Sequence, residues 1–460
     1  MAPAKDLVVQ PVLTYATPTP VEQRSWRSWG GIQTEADATA EVQRIEAELK
    51  QMTSQHGLAV RWQPVVKVRT KEDAAQAKNL PCDVMLIYAA GGGRDLLEIA
   101  TVKGRPTLFF LRHRSGPVSL HYEILHPHFL RKASDNYADT GVDVHDVVVD
   151  EYADLAWRMR ALVALRKTLG YRICAVGGPY GWGAGRELAP PFARDTWKLD
   201  IRTESYEQVA ERIKELNAKP TIVAEAHKQA DAYLADPGVR LKVNKEAVQN
   251  AFVLYKAFKD MMADHDATAM TIMGCMGTIM PISKTTACLP LSLLNDEGYL
   301  AFCESDFVVI PSGILMHHIM GTPVFLNDPT WPHHGIVTLA HCTAPRRMNG
   351  KKNEPVEILT HFESDYGAAP KVEMTTGQVV TNVIPDFASR KWVGALGTIE
   401  ANPFHAICRS QIDVAIHGDW EKLLADMRGF HWMTVYGDCM KEVGYAIKHL
   451  GIGWEDVSTT

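Results

Sequence analysis

The first 170 residues alternate short apolar runs with helically spaced segments, and this order constrains the fold more than any other feature. "DLVVQPVLTY" and "AVRWQPVVKV" read as strands, and "AEVQRIEAELKQM" between them places its apolar residues at helical spacing. "CDVMLIYAAGGG" is a further apolar run ending in glycines, followed by the helical "RDLLEIATVK" and the buried-strand pattern "RPTLFFLRH". Strand, helix, strand in this order predicts a parallel sheet with helices on both faces. The glycines at 91–93 form a tight strand-to-helix turn. Their spacing does not match GxGxxG and no P-loop lysine follows, so no nucleotide cofactor is expected.

The helical "EYADLAWRMRALVALRKTLG" closes this unit, giving a first α/β domain over 1–170. A second opens with "YRICAVGGPYGWGAG" and runs over 171–345. It carries the amphipathic helices "SYEQVAERIKEL" and "NKEAVQNAFVLYKAFKDMMADH" and the strands "ATAMTIMGCMGT" and "GTPVFLNDPTW". After the basic loop "RRMNGKKNEP" the character changes. The short β-prone segments "VEILTHF", "KVEMTTGQVVTNVI" and "SQIDVAIHG" predict a small antiparallel barrel or sandwich over 346–460, with a terminal helix in "CMKEVGYAIKHLGI".

A formal charge of −6 gives no reason to expect nucleic acid or an anionic membrane surface as partner. No apolar run approaches bilayer length and the amino terminus has no signal-peptide pattern, so a cytoplasmic location is expected. The eight cysteines form neither a CxxC pair nor a dense framework, which agrees with reduced thiols.

Within this frame "AFCESDFVVI" (301–310) stands out, because Glu304 and Asp306 lie inside a run that otherwise reads as core. A buried carboxylate is costly unless it is paired, protonated or bound to a metal. The upstream "YLAFC" favours a strand, on which residues two apart share a face, and "FVVIPSGILMHHIMG" downstream reads as a helix. The acids are therefore expected at the carboxyl end of a strand, where open α/β sheets place ligands. The alternative is that Ser305 or Asp306 caps the helix, which leaves Glu304 unexplained. His341, in "IVTLAHCTAP", and His431, in "FHWMTVYGDCMKEVG", are the candidate imidazoles. Carboxylates with imidazoles suit a borderline divalent ion such as Mn2+, Co2+ or Zn2+.

The segments "ACLPLSLLNDEGYLAFCESD", "MGTPVFLNDPTW", "AHCTAPRRM", "HFESDYGAAPKVEMTTGQVVT", "CRSQIDVAI" and "FHWMTVYGD", in this order, resemble the L-fucose/L-arabinose isomerase superfamily from about residue 250 onward. The resemblance implies two Rossmann-like α/β domains followed by a β-rich carboxyl-terminal one. It implies homotrimers or homohexamers with active sites near subunit boundaries. It also implies a divalent metal, usually Mn2+, held by two carboxylates and a histidine. Such enzymes interconvert aldoses and ketoses through an ene-diol, with acids moving a proton between adjacent carbons.

Carried over, Asp306 matches the aspartate of the family's acid-x-Asp stretch and is expected as first ligand, with Glu304 as second ligand or proton carrier. His431 matches the family's late histidine ligand, and His341 is a further candidate ligand. Trp182, Arg346 and Arg409 are candidates for contact with a sugar or glycoside. One departure is visible. The family's glutamate stands about two dozen residues before its aspartate, but "SKTTACLPLSLL" holds no acid and Cys288 stands near that place, as a thiolate ligand or substrate contact or only as packing. On this reading the usual proton shuttle is incomplete, so turnover of free L-fucose or L-arabinose is expected to be weak or absent, with a different sugar or glycoside as the true substrate. A glycoside hydrolase or lyase on the same scaffold, or a non-catalytic sugar-binding protein, are the alternatives.

Overall fold

A computed structural model of the chain describes residues 6–458 apart from Trp29, 117–140 and 184–185, and apart from the Arg94 side chain. The fold is mixed α/β with two parallel sheets and a closed antiparallel barrel. The chain divides into two compact units, 4–166 and 167–460.

In the first unit β1 (Leu7–Thr14), β2 (Val60–Trp62), β3 (Val66–Val68), β4 (Val84–Ala89), β5 (Thr107–Leu111) and β6 (Val147–Val149) form one sheet. Its order is β2-β1-β4-β5-β6 with β3 also paired to β1, and every pairing is parallel. "AVRWQPVVKV" is two short strands rather than one, because Gln63-Pro64-Val65 interrupts it and proline cannot donate to a ladder. The glycines after β4 take positive φ at Gly92 and Gly93. A Cβ on Gly92 would stand 2.9 Å from the Tyr15 carbonyl oxygen, so close backbone approach accounts for this residue.

In the second unit β7 (Arg172–Val176), β8 (Asp200–Glu204), β10 (Ala269–Ile272) and β11 (Leu300–Cys303) form a parallel sheet in the order β11-β10-β7-β8. Strand β9 (Val239–Leu241) joins β14 (Val356–His361) and β15 (Tyr366–Val372) in a small mixed sheet. The barrel is built from β12 (Phe325–Pro329), β13 (Ile336–His341), β16 (Val379–Ile384), β17 (Lys391–Ala401), β18 (Ser410–Ile416) and β19 (Trp432–Tyr436). These run β16-β19-β12-β13-β18-β17 and close through β16–β17, with β20 (Gly453–Asp456) added alongside β17.

Three expectations are corrected here. A boundary at 345 cuts through the barrel, since "GTPVFLNDPTW" supplies β12 to it and not a strand to the parallel sheet. The hydrophobic core runs without a break from Met270, Phe258 and Leu291 in the α/β part to Val337, Val393 and Trp432 in the barrel, so the two parts share one core. And the chain leaves its last helix, Met440–Lys448, to pair β20 on the barrel wall before it ends. Among the described residues no helix is long and apolar enough to cross a membrane.

Candidate metal centre

Strand β11 stops at Cys303, and the next two residues, Glu304 (φ 62°) and Ser305 (φ 48°), take left-handed backbone conformations. Two successive non-glycine residues in this region are costly and persist only where surrounding contacts impose them. Here the Ser305 amide donates to Thr271 Oγ1 at 3.0 Å. The Ser305 carbonyl accepts from the Tyr180 amide at 3.1 Å, and the Phe307 amide donates to the Tyr180 carbonyl at 3.0 Å. The expected shared strand face is therefore not how the two acids are placed. The turn separates them, leaving Glu304 partly exposed and Asp306 1% exposed.

The Asp306 carboxylate makes three polar contacts with the protein. Its Oδ1 accepts from the Val308 amide at 3.0 Å and from the Trp182 amide at 3.4 Å, and its Oδ2 lies 2.8 Å from His431 Nδ1. It thus pins the turn that leads into the helix Ile310–Met320, much as the capping alternative requires, and it also orients His431. Expected as the first ligand, Asp306 has both its oxygens engaged with protein groups, one of them with His431.

Asp328, on β12, which the sequence reading did not single out, stands with His341 and His431 in one group of potential ligand atoms. Its strand lies between β19, which His431 immediately precedes, and β13, which ends in His341. Register pairs Asn327 with Trp432 and Asp328 with Ala340, so the acid is flanked by one histidine on each side. His431 Nε2 stands 3.3 Å from Asp328 Oδ1 and 3.5 Å from Glu304 Oε2, and His341 Nε2 stands 3.6 Å from Glu304 Oε1. His341 Nδ1 is 3.0 Å from Thr343 Oγ1. With their Nδ1 atoms engaged, both imidazoles turn Nε2 toward the same carboxylates.

Whether these residues suit a cation can be judged from their unsatisfied atoms. Asp328 Oδ1, His341 Nε2 and His431 Nε2 are buried and make no hydrogen bond of good geometry, meeting one another and Glu304 only as ion pairs at 3.3–3.6 Å. Buried polar atoms are rarely left without a hydrogen bond. Atoms 3.3–3.6 Å apart fit around one divalent ion at ordinary bond lengths of about 2.0–2.2 Å. The donor set, two carboxylates and two imidazoles, suits a borderline divalent metal. The residues fit the group.

The electrostatics agree. Burial pushes the Glu304 carboxyl up, but the close imidazoles of His341 and His431 outweigh it and hold it well below the usual range. Burial alone would lower His431, whereas Asp306, Glu304 and Asp328 raise it to about 10. His341 is raised by Glu304 and Asp328 against its burial, and Asp328 is raised by burial against the two imidazoles. The cluster attracts positive charge from whatever source.

The other candidates are placed as follows. Trp182 lies beside the centre, stacked on Phe430 at 4.8 Å and edge-on to His431 at 6.2 Å. Phe430 is 52% exposed, and Trp182 Nε1 is buried without a partner. Cys288 is not a ligand of this cluster. It begins the helix Cys288–Asp296 and packs with Cys342, Cys408 and Ala369. Arg346 is buried and committed, its Nε to the Glu354 carbonyl and its Nη2 to Asp236, with Tyr233 under the guanidinium. Arg409 donates to the Thr360 carbonyl and hydroxyl and lies over Phe362. Both arginines hold loops and strands together, and neither offers its guanidinium to the cluster.

No protein-family model matches the chain, and no curated protein does.

Proposed function

We propose that this chain is a divalent-metal-dependent aldose–ketose isomerase of the L-fucose/L-arabinose isomerase kind, with Rossmann-like α/β domains. The observation that carries the reading is the group of Asp328, His341 and His431, with Glu304 within 3.5–3.6 Å of both imidazoles and three of these atoms lacking a hydrogen bond. Glu304 and Asp328 stand about two dozen residues apart, the spacing expected of the family's glutamate and aspartate. The apparent lack of an acid at Cys288 came from taking Asp306 as the aspartate. With Glu304 and Asp328 in these places the pair of acids is complete, and the reason to expect weak turnover of free sugars falls away.

Glu304, Asp328, His341 and His431 would hold the ion, with Mn2+ the first choice and Co2+ or Zn2+ next. A bound divalent ion would supply charge stabilisation for the oxygens of an ene-diolate. The remaining chemistry belongs to the side chains. Asp306 fixes the His431 ring through Nδ1 and takes no proton from substrate, since its oxygens are occupied. Glu304, whose carboxyl the imidazoles hold well below the usual range, suits the acceptance of a proton. The stacked pair Trp182 and Phe430 offers an apolar face against which a sugar ring can lie, with the free Trp182 Nε1 as a donor to a hydroxyl. On the same reading the protein assembles as a homotrimer or homohexamer, which light scattering measures directly.

The test is to incubate the metal-loaded protein with a panel of aldoses and ketoses in D2O and follow the sugars by NMR. Interconversion with deuterium entering the carbon next to the carbonyl supports the reading. Cleavage of simple glycosides without interconversion would replace it with hydrolysis or elimination on this scaffold. Ligand binding with neither would leave a sugar-binding protein.

A further inference from the structure

Successive side chains of a strand point to opposite faces, so Cys303 and Glu304 would diverge if β11 simply continued. It does not continue. The left-handed backbone at Glu304 breaks the alternation, and the two neighbours come round to the same place. Cys303 Sγ, a Glu304 carboxylate oxygen and a His341 ring nitrogen all lie within 4.8 Å of one another. The second such group among the described residues is Asp328, His341 and His431. The two groups share His341, whose Nε2 is buried, has no hydrogen-bond partner and belongs to a side chain only 3% exposed.

One ring nitrogen cannot hold two ions at once, so the groups define alternative positions for one ion. The group of Asp328, His341 and His431, with Glu304 reaching both imidazoles, has only oxygen and nitrogen donors. The Cys303 group keeps Glu304 and His341 and has a thiol in place of Asp328 and His431. We propose that Cys303 is a selectable ligand of the centre, forming with Glu304 and His341 a position for thiophilic cations such as Zn2+ or Cd2+, while Mn2+ takes the oxygen-and-nitrogen position. On binding, the Cys303 thiol gives its proton to solvent and the sulfur–metal bond forms, with no change of oxidation state. This inference rests on the cation centre described above and is independent of any sugar chemistry.

Cobalt is the probe, because Co2+ reports a thiolate ligand through charge-transfer absorption in the near ultraviolet and reports any bound ion through its visible d–d bands. The unmodified protein titrated with Co2+ should show both. Cys303→Ala should keep the d–d bands and lose the charge-transfer band. Its affinity for Cd2+ should fall by about tenfold or more while Mn2+ affinity stays within about twofold. Retained Mn2+ binding shows that the variant is folded. If it fails to fold, the spectrum of the unmodified protein decides alone. Visible bands without charge transfer overturn the role of Cys303 and leave the centre standing. No cobalt absorption of either kind overturns both.

Discussion

At the residue scale Asp306 and His431 form one buried pair. Asp306 was legible as an acid that needs a partner, because it lies inside a core-like run, but which partner was not. A sequence shows which acid is buried, while which atom it faces depends on a turn set by Thr271 and Tyr180, far away in the chain. Asp306→Asn is expected to weaken Mn2+ binding by about 10–100-fold, the usual penalty for losing the partner that orients a ligating histidine, without abolishing it. Calorimetric titration distinguishes that from complete loss, which would return Asp306 to the ligand set.

The same residues give a pH signature. In the metal-free protein His431 is raised from an ordinary value near 6.5 to about 10. A group raised on folding contributes stability that is fully present below its unfolded value and is lost as pH climbs through its folded one. Thermal denaturation of metal-free protein should therefore show this contribution declining between about pH 6.5 and pH 10. Mn2+ binding must displace that proton, so affinity should rise over the same interval with protons released. Affinity flat across that interval would mean that His431 is not a ligand.

At the scale of elements, three adjacent barrel strands and the end of β11 bring the donors together. A buried chain of hydrogen bonds fixes the strands: Asn327 donates to Thr434 Oγ1 at 2.9 Å and Thr434 donates to Asn382 Oδ1 at 2.7 Å, linking β12, β19 and β16. Thr434→Val keeps the shape and strands both partners. It should cost about 1–3 kcal/mol by chemical denaturation and also weaken metal binding, since Asp328 and His431 ride on these strands. Behind them, a Cβ on Gly313 would meet Met433 Cε and Phe302 Cε1, each at 2.8 Å. Gly313→Ala should lose about 1–3 kcal/mol despite its better helix propensity, because Met433 can swing away but the Phe302 ring on β11 or the helix itself must shift. A neutral or stabilising result would show that this packing does not set the site.

At the scale of the whole molecule, the parallel sheets were readable because strand and helix periodicities alternate cleanly in "DLVVQPVLTY", "CDVMLIYAAGGG" and "RPTLFFLRH". The barrel was readable in kind but not in extent. "GTPVFLNDPTW" looks the same in sequence whether it joins a parallel sheet or a barrel wall, and only its pairing with β19, over a hundred residues on, decides. That misplacement also hid Asp328: its motif was visible, but while its strand was assigned to the α/β sheet nothing set it beside His431. Arg346 and Arg409 misled for a related reason, since an arginine in a polar motif reads alike whether it faces a ligand or, as here, a carbonyl.

The most direct measurement concerns the residue the sequence did not single out. Purified protein and its Asp328→Ala variant are each equilibrated with Mn2+, desalted and assayed for bound metal, with circular dichroism as a check on folding. The account predicts close to one ion per chain in the unmodified protein and about a tenth of that or less in the variant, with the fold retained. Equal metal content in the two, or none in the unmodified protein, would contradict it.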